Sequence, residues 1–322
     1  MKKILIIKLD AIGDYVLFRN FLKEIRKKHK KDKIFLLGNS LWKDLAEKYD
    51  SKFIDEFFWT KKEDIGLIKS NIKKLNQKKV DVLIQPTDSR EILMHKVASK
   101  IRAKEKITFY MNRKGKQRKE LNKIYNKFIR APDIHEFDRY KKFFENFLDT
   151  KLTTSLQIPF KDEQTTKENY AVVFPSASSN LKRWPIKNFA KVSEKLKKKY
   201  NLNIIICGSK NDSALAEKIQ KRLPFKAINM TGKSLALLPE IIGNAKILIT
   251  NDTAAAHIGA STKTNSIVVG TGILYGRFLP YPKKYSWVKT VLPRFYLRRV
   301  HGPIFTNKKK KVLQEVDNML CE

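Results

Sequence analysis

The stretch Lys2–Arg26, KKILIIKLDAIGDYVLFRNFLKEIR, decides the fold. Ile4, Leu5, Ile6 and Ile7 form a short unbroken apolar run, the pattern of a strand buried on both faces, and Lys8 to Gly13 interrupts it as a loop. From Asp14 the period changes. Leu17, Phe18, Phe21, Leu22 and Ile25 recur at three and four residues, with Lys23, Arg26 and Lys27 opposite, which predicts one amphipathic helix. Gly13 permits a tight turn, and Asp14 stands at the helix start, where a carboxylate caps exposed N–H groups and meets the positive end of the dipole. On spacing alone Asp14 reads as an N-cap, with a chemical role as the alternative.

The same alternation repeats outward. Lys33–Gly38 and Val80–Gln85 read as strands, Phe53–Trp59 as an apolar patch, and Leu41–Tyr49, Ile65–Leu75 and Arg139–Leu148 as helices. Strands alternating with helices imply parallel βαβ units and a doubly wound first half. Lys100–Arg130 is dominated by Lys and Arg and reads as exposed and partly mobile. Asp149–Asn169 reads as a linker holding one strand, Leu156–Ile158. The pattern then restarts. Tyr170–Phe174, Asn203–Gly208, Ala227–Met230, Lys246–Thr250 and Ser266–Val269 read as strands. Ile186–Tyr200, Asp212–Arg222, Leu235–Asn244 and Lys309–Met319 read as helices, and another follows Asn251–Thr253. Two α/β domains are expected, residues 1–155 and 156–322.

Length agrees with this division, because 322 residues exceed a typical single core. The formal charge of +36, from 68 Lys and Arg against 32 Asp and Glu, favours polyanionic partners: nucleic acid, phosphorylated glycans or an anionic membrane face. The basic residues are spread through nearly every segment, so a solvated lysine-rich surface is the plainer reading. The two cysteines, Cys207 and Cys321, indicate neither a disulfide framework nor a thiolate metal site, which fits the reducing cytoplasm. The first apolar run is too short for an export signal, and none approaches the ~20 residues of a spanning helix.

Chemistry is expected in the loops at the carboxyl ends of the strands, where open α/β sheets bind ligands. Asn251-Asp252-Thr253 follows a buried strand and opens a helix of small residues, Ala254 to Ala256, a ready site for a diphosphate. Asp252 alternatively only caps that helix, and His257, one turn on, either faces the anion or packs in the core. No His or Cys pair has metal spacing. Thr231-Gly232-Lys233-Ser234 matches only the end of a Walker loop, since Ala227 falls where its first glycine belongs.

Four ordered motifs, Lys8-Leu-Asp-Ala-Ile-Gly-Asp14, Lys182-Arg-Trp-Pro185, Thr231-Gly-Lys-Ser-Leu235 and Asn251-Asp-Thr253 with His257, resemble glycosyltransferase family nine, the ADP-heptose:lipopolysaccharide heptosyltransferases. The resemblance implies a GT-B fold of two Rossmann-like domains facing a central cleft, with inversion at the anomeric carbon and neither cofactor nor metal. By position it makes Asp14 the general base and Lys182 the catalytic contact to the donor phosphates and sugar. It assigns the donor to Gly13, Ser178, Asp212 at the ribose, Lys233 near the adenine edge, and Asp252, Thr253, Ala254 and His257 at the diphosphate. Ala254 departs from the glycine usual there and raises the expectation of a crowded phosphate loop.

The acceptor then belongs to the first domain, with Arg90 and Arg113 as its contacts and Phe109, Tyr110, Met111 and Tyr125 as anchors at an interface. The expected activity is transfer of a heptose from a nucleotide-sugar, ADP-heptose, to an acidic or phosphorylated glycolipid at the inner face of the cytoplasmic membrane. The alternatives are a family member using another sugar nucleotide and a basic nucleic-acid-binding protein, for which no recognised module is present.

Overall fold

A computed structural model describes residues 1–87, 92–110, 115–130, 132–160, 169–272, 274–293 and 309–321. The chain divides into two compact units, Met1–Ser155 and Leu156–Glu322. The first holds strands β1 (Lys3–Lys8), β2 (Lys33–Asn39), β3 (Glu56–Thr60), β4 (Val80–Gln85), β5 (Ala103–Phe109) and β6 (Lys127–Ile129). Its helices are α1 (Ile12–Phe18), α2 (Asn20–Lys28), α3 (Lys43–Asp50), α4 (Ile65–Gln77), α5 (Ile92–Lys100), α6 (Gly115–Ile124) and α7 (Glu136–Leu148). All strand pairs are parallel, in the order β3-β2-β1-β4-β5-β6, with Lys8 beside Gly38 and Ile6 beside Ile84. Ile4 to Ile7 are fully buried, as a strand covered on both faces requires. Each such side chain contributes about 1.5–3 kcal/mol.

The second unit holds β7 (Tyr170–Phe174), β8 (Asn203–Ile206), β9 (Ile228–Asn229), β10 (Ile247–Asn251), β11 (Ser266–Val269) and β12 (Val288–Val291). Its helices are α8 (Ile186–Tyr200), α9 (Ser213–Gln220), α10 (Leu238–Gly243), α11 (Ala254–Ser261) and α12 (Lys309–Leu320). The order β12-β11-β10-β7-β8-β9, again parallel, repeats the winding of the first unit. In each sheet the direction of winding reverses beside the first strand. The reversal lies between β1 and β4 in one unit and between β7 and β10 in the other. A crevice for ligand opens beyond the strand ends at such a point.

Several expectations need correction. The first helix begins at Ile12 with Ala11 as N-cap, so Gly13 and Asp14 lie inside its first turn and Asp14 is not the cap. The single helix is two, α1 and α2, meeting at Arg19. Arg19 turns inward to clasp the buried Asp50 through Nε and Nη2 at 2.8 and 2.7 Å, and Tyr15 donates to the same carboxylate at 2.7 Å. Lys100–Arg130 is not a plain loop: among the described residues it supplies β5, α6 and β6, with most of α6 exposed and Ile107, Thr108, Leu121 and Ile129 buried. Phe109 and Tyr125, expected at an interface, are core residues at 0% and 2% exposure. Leu156–Ile158 forms no strand, although both end residues are buried and Ile158 N–H bonds Ser261 O at 3.1 Å. Ser266–Val269 is not the last strand, since β12 pairs beyond it.

Candidate active site

In the second unit the sheet reversal brings together the loops that follow β7 and β10. Asn251, fully buried at the end of β10, fastens the first of these at both ends. Its Oδ1 accepts from Trp184 N–H at 3.1 Å, and its Nδ2 donates to Pro175 O at 2.8 Å and Ser176 O at 3.1 Å. Trp184 itself is fully buried against Phe189. This leaves Lys182, half-buried at the end of a short 3-10 turn, held beside the strand end, with Ser178 exposed on the same loop.

Asp252 comes next after β10. Burial pushes its carboxyl above the usual carboxylate range, and the positive charge of Lys182 opposes that rise. The two side chains therefore share one electrostatic environment across the reversal point. Asp252 does not cap α11. Thr253 occupies the N-cap position without a side-chain bond to the helix, so the first N–H groups of α11 receive no side-chain oxygen from it. Ala254, which stands where the resemblance expects glycine, is the first helical residue, a conformation that accepts a Cβ without strain. His257 is 5% exposed and shares a hydrogen bond of 2.6 Å between Nδ1 and the hydroxyl of Tyr281. Burial, then the charges of Tyr285 and Asp252, hold the Tyr281 hydroxyl well above its usual range, so it stays protonated. Sequence reasoning missed Tyr281, which lies 24 residues from His257 and follows no motif.

Asp212 has a structural duty. It sits 6% exposed in a capping box, with Oδ2 accepting from the Ser209 amide at 2.8 Å and the Ser209 hydroxyl at 2.5 Å. Gly208 makes room for it, since a Cβ there would lie 2.8 Å from Asp212 Cβ. The Thr231–Ser234 loop lies alongside. Gly232 N–H bonds Gly208 O at 3.0 Å, and the hydroxyls of Thr231 and Ser213 are 3.2 Å apart. Lys233 on that loop is exposed. The loops after β7, β8, β9 and β10 thus line one edge of one sheet, with cations, N–H groups and hydroxyls suited to a phosphorylated nucleoside.

In the first unit the corresponding edge carries Asp14, half-buried in the first turn of α1. Below it lies a buried network that the sequence reading took for an ordinary loop. Lys8, with no exposure, donates from Nζ to Asp10 Oδ2 at 2.6 Å, Thr87 Oγ1 at 3.2 Å and Tyr140 OH at 2.5 Å. Thr87 donates to Asp10 Oδ2 at 3.0 Å. Further along this edge Arg118 stacks on Tyr110 and Phe128 at 4.6 and 4.1 Å, and Arg130 on Tyr110 at 4.9 Å. Neither guanidinium has a carboxylate partner among the described residues. Arg90 and Arg113, the expected acceptor contacts, lie outside the described residues. No group of three or more His, Cys, Asp or Glu gathers as for a metal ion among the described residues, and no helix there is long and apolar enough to cross a membrane.

Comparisons agree with this layout. The fold matches a glycosyl transferase family 9 structure from Veillonella parvula with TM-score 0.78 and 19% identity, over 99% of this chain and 97% of that one. E. coli ADP-heptose lps heptosyltransferase II matches at 0.74 and 16%, over 100% and 99%. E. coli heptosyltransferase WaaC, solved with ADP-2-deoxy-2-fluoro heptose, matches at 0.75 and 16%, over 98% and 99%. These likenesses show a GT-B fold. A sequence search of curated proteins finds no match. The profile of glycosyltransferase family 9 (heptosyltransferase) matches residues 69–290, more than half of the chain, and the protein therefore belongs to that family.

Proposed function

We propose that the protein is an inverting, metal-independent glycosyltransferase that moves a heptose from ADP-heptose to a hydroxyl of a lipopolysaccharide-core glycan or another acidic glycolipid. In this reading the second unit binds the donor. Lys182, Thr253, the first N–H groups of α11 and His257 take the diphosphate, where negative charge develops as the glycosidic oxygen departs. Asp252 and Ala254 shape that loop. The ribose and adenine lie over the loops of Ser209–Asp212 and Thr231–Ser234, with Lys233 at the rim and Ser178 beside the sugar. Because the Asp212 Oδ2 is already engaged, Asp212 meets a ribose hydroxyl only through its other oxygen.

The first unit supplies the base. As the acceptor oxygen attacks the anomeric carbon from the face opposite the diphosphate, Asp14 removes its proton. The bond to the diphosphate oxygen breaks, and the configuration inverts. Base assistance of this kind contributes about 10² to 10⁴ in rate. Gly13, one residue before the base, is buried in the first turn of α1. Arg90, Arg113 and the Arg118–Tyr110–Arg130 stack are the acceptor-side cations, which fits a phosphate- or carboxylate-bearing acceptor. A peripheral place on the inner face of the cytoplasmic membrane follows from that acceptor and from the net charge of +36.

The observation that carries the reading is the convergence at one sheet reversal of Lys182, whose charge reaches Asp252, with the opening of α11, in a chain of family 9. Calorimetric titration with ADP, UDP and GDP tests it. ADP is expected to bind tightest, by about tenfold or 1.4 kcal/mol. Preference for UDP or GDP would transfer the chain to another sugar nucleotide.

A further inference from the structure

Three residues, Leu9, Asp10 and Ala11, join β1 to the helix that carries Asp14. They are tied down from both neighbouring strands. On the β2 side Asn39 Nδ2 donates to Leu9 O at 3.1 Å and Asp10 O at 3.4 Å, and Trp42 Nε1 donates to Asp10 O at 3.2 Å. On the β4 side the Asp10 carboxylate is held by Lys8 and Thr87, and Lys8 by Tyr140 of α7. Lys8 also lies over the rings of Phe18 and Tyr140, at 5.3 and 4.6 Å. A lysine with no exposure is retained only where its charge is paired and its three donors are used, and both conditions hold.

The carboxylate is satisfied on one side only. Both bonds fall on Oδ2, while Oδ1 is buried with no hydrogen-bond partner. A carboxylate kept for stability alone is expected to have both oxygens bonded, and local rules broken in this way concentrate at functional sites. Replacing Lys8 and Asp10 by apolar residues would leave a simpler core. The pair instead fixes the backbone immediately before the base.

We propose that Asp10 is a positioning residue for Asp14. Clamped by Lys8 and Thr87, it fixes the orientation in which the first turn of α1 presents the Asp14 carboxylate to the acceptor hydroxyl. This rests on the assignment of Asp14 as the base. Misplacing a reacting group by about 1 Å costs about 10²-fold in rate, so a clamp at this loop acts on turnover and not on donor binding.

The test uses the full chain and measures release of ADP from ADP-heptose with water as acceptor, together with amide hydrogen exchange. Asp10→Ala is expected to lower kcat about 10²-fold with the donor KM unchanged. Thr87→Val, which removes the hydroxyl's bonds to Lys8 and Asp10, and Tyr140→Phe, which removes the hydroxyl that accepts from Lys8, both leave the charges paired and should lower it less and in the same way, so the outcome does not depend on the first variant folding. The double variant Asp10→Ala with Asp14→Asn should turn over no more slowly than Asp14→Asn alone, because Asp10 acts through Asp14. Exchange should quicken at residues 11–14 and stay unchanged in α2 and β2. Losses that multiply in the double variant, a raised donor KM, or unchanged exchange at residues 11–14 would overturn the proposal while leaving Asp14 as the base. Full turnover in Asp14→Asn would overturn both.

Discussion

Lys182→Ala is the perturbation whose size the structure constrains best. A charge-assisted hydrogen bond contributes about 1.5–3 kcal/mol, or about 10- to 150-fold in affinity. Lys182 is half-buried, so solvent screening places the loss of ADP affinity at the lower end, about 10- to 30-fold. A second consequence concerns Asp252. Its carboxyl is raised by burial and held back by Lys182, so removing the ammonium should raise it further. In the variant, ADP binding should therefore strengthen as the pH falls and Asp252 loses its charge, because the protonated side chain no longer repels the diphosphate. The assay is titration calorimetry with ADP across pH, at low and at high salt, for wild type, Lys182→Ala, Lys182→Arg and Lys233→Ala. The arginine should retain most of the affinity. The exposed Lys233 should cost less than about 1 kcal/mol. The reasoning fails if Lys182→Ala binds ADP as tightly as wild type, or if Lys233→Ala loses more than Lys182→Ala.

Further outcomes follow from the same contacts. Asp50→Ala removes the carboxylate that accepts from Arg19 Nε and Nη2 and from the Tyr15 hydroxyl in the core, so the first unit should lose about 3–5 kcal/mol, seen as a fall of about 6–20 °C in Tm. A change within the error of calorimetry would show that the clasp carries no stability. Asp252→Asn should raise Tm at neutral pH. The folded protein binds the Asp252 proton more readily than the unfolded chain, so the ionised group subtracts stability above the unfolded pKa of about 3.9. That gain should shrink as the pH falls toward this value, and a gain independent of pH would exclude charge burial as its cause. Gly208→Ala forces the Asp212 side chain aside, so ADP affinity and stability should fall together by about 1–3 kcal/mol. Arg118→Gln with Arg130→Gln should raise the KM for an anionic glycolipid acceptor and leave the ADP Kd unchanged, whereas a weakened ADP Kd would remove the stack from the acceptor side.

The alternation of strands and helices was legible because each central strand is a short apolar run that must be covered on both faces, as at Ile4–Ile7 and Ile247–Ile249. What stayed hidden was set by contacts distant in sequence. The periodicity predicted one continuous helix and did not single out Arg19, yet Asp50, 31 residues on, holds it inward where α1 gives way to α2. Lys8 and Asp10 looked like the start of a solvated loop, because the Thr87 and Tyr140 that satisfy Lys8 arrive 79 and 132 residues later. Edge strands β6 and β12 are only three and four residues long and each carries one lysine, so neither period nor hydropathy marked them. Lys182 and Thr253 drew attention through their motifs. The capping role of Asp212 and the bond between Tyr281 and His257 depend on side-chain geometry that no spacing encodes.

The division of labour between the two units is tested most directly by Asp14→Asn, with the ADP Kd and the turnover of ADP-heptose measured on one preparation. We expect an unchanged ADP Kd and a turnover reduced by about 10² to 10⁴, the contribution of a general base. Near-normal turnover, or a loss of ADP affinity matching the loss of rate, would contradict the assignment of base to the first unit and donor to the second.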